Sequence, residues 1–234
     1  FHSGDVSLGF CRLSLIDPDL GDQPMLSSDG RYVIVMNGEI YNYRQLREKL
    51  VEENGCTFRT QSDTEVVLQA FRYYGEKTAE LLRGMFAFVI LDTLDGSLYG
   101  ARDPFGIKPF YYTQQGSAFL FASEMKAFWE HPSFHGKINP EALKMYLVFQ
   151  YVPLRETICK GVFRLEPGRY FTCRGGEMNI VRYFDPMMQE AKWELDDAAE
   201  QIDRAFQDSV RCHQIADVEI GAFLSGGVDS GYVL

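Results

Sequence analysis

Three separated stretches carry side chains suited to holding an amino acid and polarising a carbonyl. Arg12 interrupts an otherwise apolar stretch, 8–16, where a guanidinium needs a partner. Its planar fork matches a carboxylate through two hydrogen bonds. Asn37-Gly38 combines a side-chain amide with a sterically open backbone N–H, two donors able to flank an oxyanion. Asp63, at an expected helix start, can accept from an α-ammonium. Taken singly, each has a plainer reading. Arg12 can pair with Asp17, Asn37-Gly38 is a common hairpin turn, and Asp63 favours a helix N-terminus whatever else it does.

A fourth stretch is suited to phosphate. An apolar run, 220–224, leads into Ser225-Gly226-Gly227-Val228-Asp229-Ser230. Glycines let backbone approach a ligand, and hydroxyls with successive N–H groups can cradle an anion. No lysine stands where the GxxxxGK[ST] nucleotide loop needs one. On glycine content alone, an ordinary strand-to-helix turn is the simpler reading.

These residues need elements to hold them. Residues 6–15 and 32–36 read as strands, followed by the turn chemistry of Asp29-Gly30 and Asn37-Gly38. Residues 43–53 read as a helix with Leu46, Leu50 and Val51 on one face, Asn42 as N-cap and Gly55 after its end. Ser62 and Glu65 have the form of a capping box opening a second helix, whose stripe is Val66, Val67, Ala70, Phe71 and Tyr74. Strands are expected at 85–92 and 98–102 around Asp95-Gly96, then at 110–112, 118–122, 161–165 and 169–173. Helical patches fall at 124–129 and 140–149. A long amphipathic helix over 195–213 and an apolar strand over 220–224 open an α/β unit after 183–186. The order predicts a sheet-rich α+β layer structure, with a boundary placed at 186/187.

Bulk composition narrows the partners. The 234 residues are 46% hydrophobic, 24% charged and 14% aromatic, with a net charge of −10. That suits a globular core and disfavours nucleic acid or an anionic membrane as general partners. No apolar run approaches the roughly 20 residues of a membrane span, and no signal-peptide pattern is read. Five cysteines without a CxxC pair read as isolated reduced thiols of a cytoplasmic protein. His131 and His135 flank Pro132 and read as a surface turn, so no metal site is expected. The start at Phe1 and the stop at Leu234, just after a loop expected to open a helix, read as cut ends.

Whole strings sharpen the picture. Ser225, Gly226, Gly227, Asp229 and Ser230, entered through Leu224, resemble the SGGxDS loop of the ATP pyrophosphatases. Arg12 to Asp17, Asn37 to Asn42, and Ser62 to Glu65 follow the order seen in class II glutamine amidotransferases. So do Arg83 to Phe88, Arg102 to Pro109, and Ala122 to Ala127. The Asn37-to-Asn42 string and the 225–230 loop are similar to glutamine-hydrolysing asparagine synthetases in particular.

That resemblance implies an N-terminal-nucleophile fold over 1–186, a four-layer sandwich of antiparallel sheets between helices. The first strand and loop of an ATP-pyrophosphatase domain would follow over 187–234. It implies that Arg12 holds the glutamine α-carboxylate and Asp63 the ammonium. Asn37 and the Gly38 N–H would stabilise the oxyanion, with Glu39 lining the pocket. Ammonia would then attack a β-aspartyl-adenylate made from aspartate and ATP with magnesium, and a homodimer is the implied assembly. No residue matches the family's N-terminal cysteine, and Cys11, inside an expected strand, has no free α-amino group. The chain as it stands is therefore expected not to hydrolyse glutamine. An amidotransferase acting on another acid, a β-lactam-synthetase-like enzyme and a non-catalytic module remain alternatives.

Overall fold

The computed structural model describes residues 1–11, 16–188, 190 and 192–234. Two short strands, β1 (His2–Ser3) and β2 (Val6–Ser7), form a ribbon. After β3 (Met25–Leu26) and β4 (Tyr32–Ile40) come helices α1 (Tyr43–Asn54), α2 (Asp63–Tyr74) and α3 (Thr78–Leu81). Then follow β5 (Gly84–Asp92), β6 (Leu98–Arg102), β7 (Tyr111–Gln115) and β8 (Ala118–Ala122). Helix α4 (Pro140–Phe149) precedes β9 (Val162–Arg164), β10 (Arg169–Arg174) and β11 (Glu177–Arg182). Helices α5 (Leu195–His213) and α6 (Val228–Val233) close the chain.

The strands make two larger antiparallel sheets, ordered β11-β10-β6-β5-β4-β3 and β8-β7-β9. Side chains alternate across a strand, and here both faces are apolar. From β4 and β5, Ile34, Met36, Ile40, Phe86, Phe88 and Ile90 pack under α1 and α2. Val33, Val35, Ala87, Val89 and Leu91 of the same strands meet Phe110, Tyr112, Phe119 and Phe121 of the second sheet. The far face of that sheet, with Tyr111, Leu120 and Val162, is covered by Phe128 of a 3₁₀ turn (Met125–Glu130) and by Phe134. The result is four layers: helix, sheet, sheet and a thinner helical cover, the α+β sandwich expected.

Several local expectations need correcting. Strand 6–15 forms only as β2, ending at Ser7, and residues 12–15 lie outside the described residues. Asn37-Gly38 is no hairpin turn, because β4 runs through both and pairs with β5 as far as Ile40. Asn42 sits at the α1 N-cap without capping it. Its amide instead donates to the Leu81 carbonyl at 2.9 Å and accepts from the Arg83 N–H at 2.9 Å. The capping box is half made. Ser62 Oγ accepts from the Thr64 N–H, whereas the Glu65 carboxylate turns to the Arg59 and Thr60 N–H groups. Val51, expected on the buried face of α1, is half exposed. Strand β11 was not expected, although Met178 and Ile180 alternate with polar residues after the Gly175-Gly176 turn. The 124–129 patch is 3₁₀ rather than α. Residues 220–224 form no strand, since no ladder partner lies beside them among the described residues.

One buried carboxylate organises the turn leading from β6 to the second sheet. Asp103 is fully buried and accepts from the N–H groups of Phe105 (3.1 Å), Ile107 (2.9 Å), Lys108 (3.0 Å) and Phe86 (3.3 Å). Its neighbour Arg102 donates to the carbonyls of Lys108, Gly106 and Leu165. Gly106 has φ +65°, and a Cβ there would meet the Arg102 guanidinium at 3.1 Å. Hydrogen bonds to a charged acceptor are worth roughly 1.5–3 kcal/mol each, and stranded buried donors cost more. Asp103→Ala is therefore expected to lower stability by at least about 3 kcal/mol. In thermal unfolding that appears as a midpoint about 6–12 °C lower. A midpoint within about 3 °C of the parent would show that the turn holds without its carboxylate.

Candidate functional site

A cleft with a volume of about 560 Å³ opens where β4, the start of α2, the 103–108 turn and the end of β8 converge. Asn37, Gly38 and Glu39 reach it from β4, and Asp63 and Thr64 from α2. Lys108 enters from the turn, and Ser123, Glu124 and Lys126 from the segment after β8. Four of the five residues expected to hold glutamine thus share one cavity. The fifth, Arg12, lies outside the described residues, although Cys11 and Ile16 on either side of that stretch line the same cleft.

The backbone at Asn37-Gly38 is specified by the strand it crosses. Gly38 has φ +150°, and a Cβ added there would sit 2.0 Å from the Met85 carbonyl oxygen and 2.6 Å from Phe86 Cα. Only glycine lets β4 approach β5 so closely at this point. Gln23, which carried no signal in the sequence, supports the same strand. Its amide accepts from the Met36 N–H at 2.6 Å, and donates to the Met36 carbonyl and the Thr64 hydroxyl at 3.2 Å each. It thereby ties β4 to the first turn of α2. The Asn37 amide donates to Ser123 Oγ at 3.3 Å.

Asp63 is held by its surroundings rather than by a cation. It is 5% exposed, and its carboxylate accepts from the Ile40 N–H at 3.0 Å, with the Ser62 hydroxyl at 3.4 Å. No described lysine or arginine forms an ion pair with it. Burial pushes its pKa up from 3.8 to about 6, and the nearby Glu39 charge adds to the shift. Glu39 is itself raised by burial, against which Lys108 and His213 act in the opposite sense. Two carboxylates close together in a poorly solvated cleft are complementary to a positive charge. An ammonium bound there would relieve both.

The 225–230 loop is a separate, exposed feature. Ser225 Oγ and Ser230 Oγ stand 2.9 Å apart, Gly226 has φ +78°, and the Gly231 N–H donates to the Gly227 carbonyl at 3.0 Å. Leu224, Ser225, Gly226, Gly227, Asp229 and Ser230 form one open turn at the start of α6, and none of them lines the cleft. Lys108 and Ser123 were present in strings quoted from the sequence, yet nothing in their spacing gave them a place in the site.

Residues 1–184 match the family model of a glutamine amidotransferase domain, and residues 201–234 match that of asparagine synthase. The chain is 46% identical over 235 residues to asparagine synthetase [glutamine-hydrolyzing] 1 of Bacillus subtilis, covering 100% of this chain and 37% of that protein. A putative asparagine synthetase of Mycobacterium tuberculosis is 42% identical over 240 residues, covering 97% of this chain and 37% of that protein. The chain therefore spans little more than a third of the length of these relatives. Among solved structures, a glutamine phosphoribosylpyrophosphate amidotransferase of B. subtilis aligns over 69% of this chain and 32% of its own. That alignment has a TM-score of 0.48 and 24% identity.

The raised Asp63 pKa has a checkable consequence for stability. A carboxyl whose folded pKa lies above its unfolded value contributes stability below the unfolded pKa, and loses it as pH rises through the folded one. Asp63 thus costs the fold increasingly from about pH 4 upwards, and the full cost stands above about pH 7. Asp63→Asn, which cannot ionise, should gain up to about 3 kcal/mol on the parent between pH 4 and pH 8. Thermal unfolding followed across that range measures it. Parallel curves for the two proteins would mean that Asp63 ionises without penalty.

Proposed function

The chain belongs to the glutamine amidotransferase domain family, and from that membership we propose that its cleft binds glutamine and assists release of the side-chain nitrogen as ammonia. The observation that carries the proposal is the convergence of a buried carboxylate, Asp63, that pairs with no described cation, and the Asn37-Gly38 donors on one cavity. In this reading Asp63, with Glu39 beside it, takes the substrate α-ammonium. Arg12 takes the α-carboxylate. The side-chain carbonyl of glutamine lies against the Asn37 amide and the Gly38 N–H. When a nucleophile adds to that carbonyl, its oxygen gains negative charge, and donors already in position stabilise it without reorganising. Collapse of the tetrahedral intermediate expels ammonia, and hydrolysis of the acyl group returns glutamate. These residues bind and polarise; none of them is assigned as the attacking nucleophile.

The second half of the proposal concerns ATP. The match over 201–234 and the 46% identical relative support a glutamine-dependent asparagine synthetase as the complete protein. Residues 1–186 would then form the amidotransferase domain, and 187–234 would begin the ATP-using one. Leu224, Ser225, Gly226, Gly227, Asp229 and Ser230 would cradle the pyrophosphate portion of ATP. The absence of side chains at Gly226 and Gly227 suits a close backbone approach. The β-carboxylate of aspartate attacks the α-phosphorus, pyrophosphate leaves, and ammonia then displaces AMP from the acyl carbon. Magnesium would accompany ATP in this reading, held mainly by the phosphates and water and offsetting their charge.

The test uses the complete protein, with glutamate, asparagine and AMP measured together. All three should appear from glutamine, aspartate and ATP. Asn37→Ala should lower the kcat for glutamate release about 10²- to 10³-fold, with a much smaller change in KM. A kcat close to the parent's would remove Asn37 from the oxyanion site. Glutamate and AMP without asparagine would keep the two activities and point to another acceptor acid.

A further inference from the structure

We propose that Ser123 is a positioning residue for glutamine hydrolysis: its hydroxyl accepts one N–H of the Asn37 amide, so that the other stays directed into the cleft. This rests on the reading of Asn37 as an oxyanion donor. The two residues stand 86 positions apart, one within the larger sheet and the other just past the end of a strand of the smaller one. Asn37 is fixed within β4 of the larger sheet, and Ser123 directly follows β8 of the smaller one. Their 3.3 Å hydrogen bond therefore spans the two sheets at the wall of the cleft.

An asparagine side chain needs such a partner to act as a donor. The torsion that turns its amide is broad and two-fold, and its oxygen and nitrogen ends have nearly the same shape. With nitrogen forward the group stabilises an oxyanion. With oxygen forward it sets an acceptor against growing negative charge. Among the described residues, the contact with Ser123 is the only hydrogen bond that either side chain makes. No other described group holds the amide in place. Ser123 is held in turn, because the residue before it, Ala122, pairs with Tyr111 across β7 and β8. The segment after it enters the 3₁₀ turn whose Phe128 packs with Phe134 against the smaller sheet.

The experiment is a kinetic cycle on the complete protein, following glutamate release from glutamine. Ser123→Ala should lower kcat about 3- to 10-fold, the range of one neutral hydrogen bond, and leave KM within about twofold. Ser123→Thr, which keeps the hydroxyl, should recover most of the loss. In an Asn37→Ala background, Ser123→Ala should have no further effect, because the amide it orients is gone. Ser123 is exposed, so its variants are expected to fold with the parent's unfolding midpoint. Three results would overturn the proposal while leaving the oxyanion reading intact, provided Asn37→Ala alone collapses kcat. They are an unchanged kcat in Ser123→Ala, no recovery in Ser123→Thr, and an equal loss from Ser123→Ala with Asn37 absent. If Asn37→Ala itself leaves kcat unchanged, the oxyanion reading fails and this proposal falls with it.

Discussion

The antiparallel pairing of β4 with β5, from Tyr32–Asp92 to Ile40–Gly84, constrains every other part of the amidotransferase fold. These two strands lie at the middle of the four layers, so each must be apolar on both faces, and each is. The same pairing carries the chemistry. Where the strands run closest, Gly38 and Gly84 have no room for side chains, because a Cβ on either would press within about 2 Å of a carbonyl across the gap. That close approach leaves Asn37 and Glu39 projecting from an element that cannot shift without unpairing the core. Function placed here inherits the rigidity of the most buried pair in the molecule.

The stability of the fold and the needs of the cleft pull against each other at Asp63. A carboxylate enclosed almost completely, with hydroxyl and N–H partners but no cation among the described residues, is a poor choice for folding alone. It is a good choice for a site that must recognise an ammonium, since the binding of that charge supplies what the fold withholds. Glu39 and Lys108 make the same point more mildly. Burial raises Glu39, and the Lys108 charge partly offsets it. Lys108 can do so because the Asp103 turn fixes the backbone on which it stands. Asp103 serves stability in the ordinary way, with every acceptor position facing a backbone N–H, whereas Asp63 leaves room for a ligand.

Much of this was legible in the sequence, for physical reasons that differ from element to element. Strands 85–92 and 98–102, and helices 140–149 and 195–213, declare themselves through uninterrupted periodicity and clear turn chemistry. Asn37, Gly38, Glu39 and Asp63 could be grouped because three motifs occurred in a recognisable order, yet nothing local said that they share a cavity. Asn37-Gly38 misleads as a turn, since the dipeptide is equally at home where a strand needs a glycine for close packing. Gln23 and Ser123 were invisible for a plainer reason. Each matters through hydrogen bonds to residues distant along the chain, and such contacts leave no period. Asn42 and Glu65 show the limit of capping patterns, because both sit at the expected positions and spend their hydrogen bonds on neighbouring loops instead.

The two candidate sites also differ in what supports them. Asn37, Glu39, Asp63, Lys108 and Ser123 each stand on something already fixed: a central strand, the buried start of α2, a turn closed around Asp103, or the end of a paired strand. The 225–230 loop stands on an unpaired extended segment and a six-residue helix, with Phe223 and Val228 exposed to solvent. A run such as 220–224, apolar throughout, is the pattern of a strand buried on both faces, and it becomes one only when neighbours pair with it. Phe223 and Leu224 are accordingly exposed, with no strand beside them among the described residues. The cleft is organised by contacts within this chain. The 225–230 loop is legible in the sequence, and no strand pairs with the segment before it among the described residues.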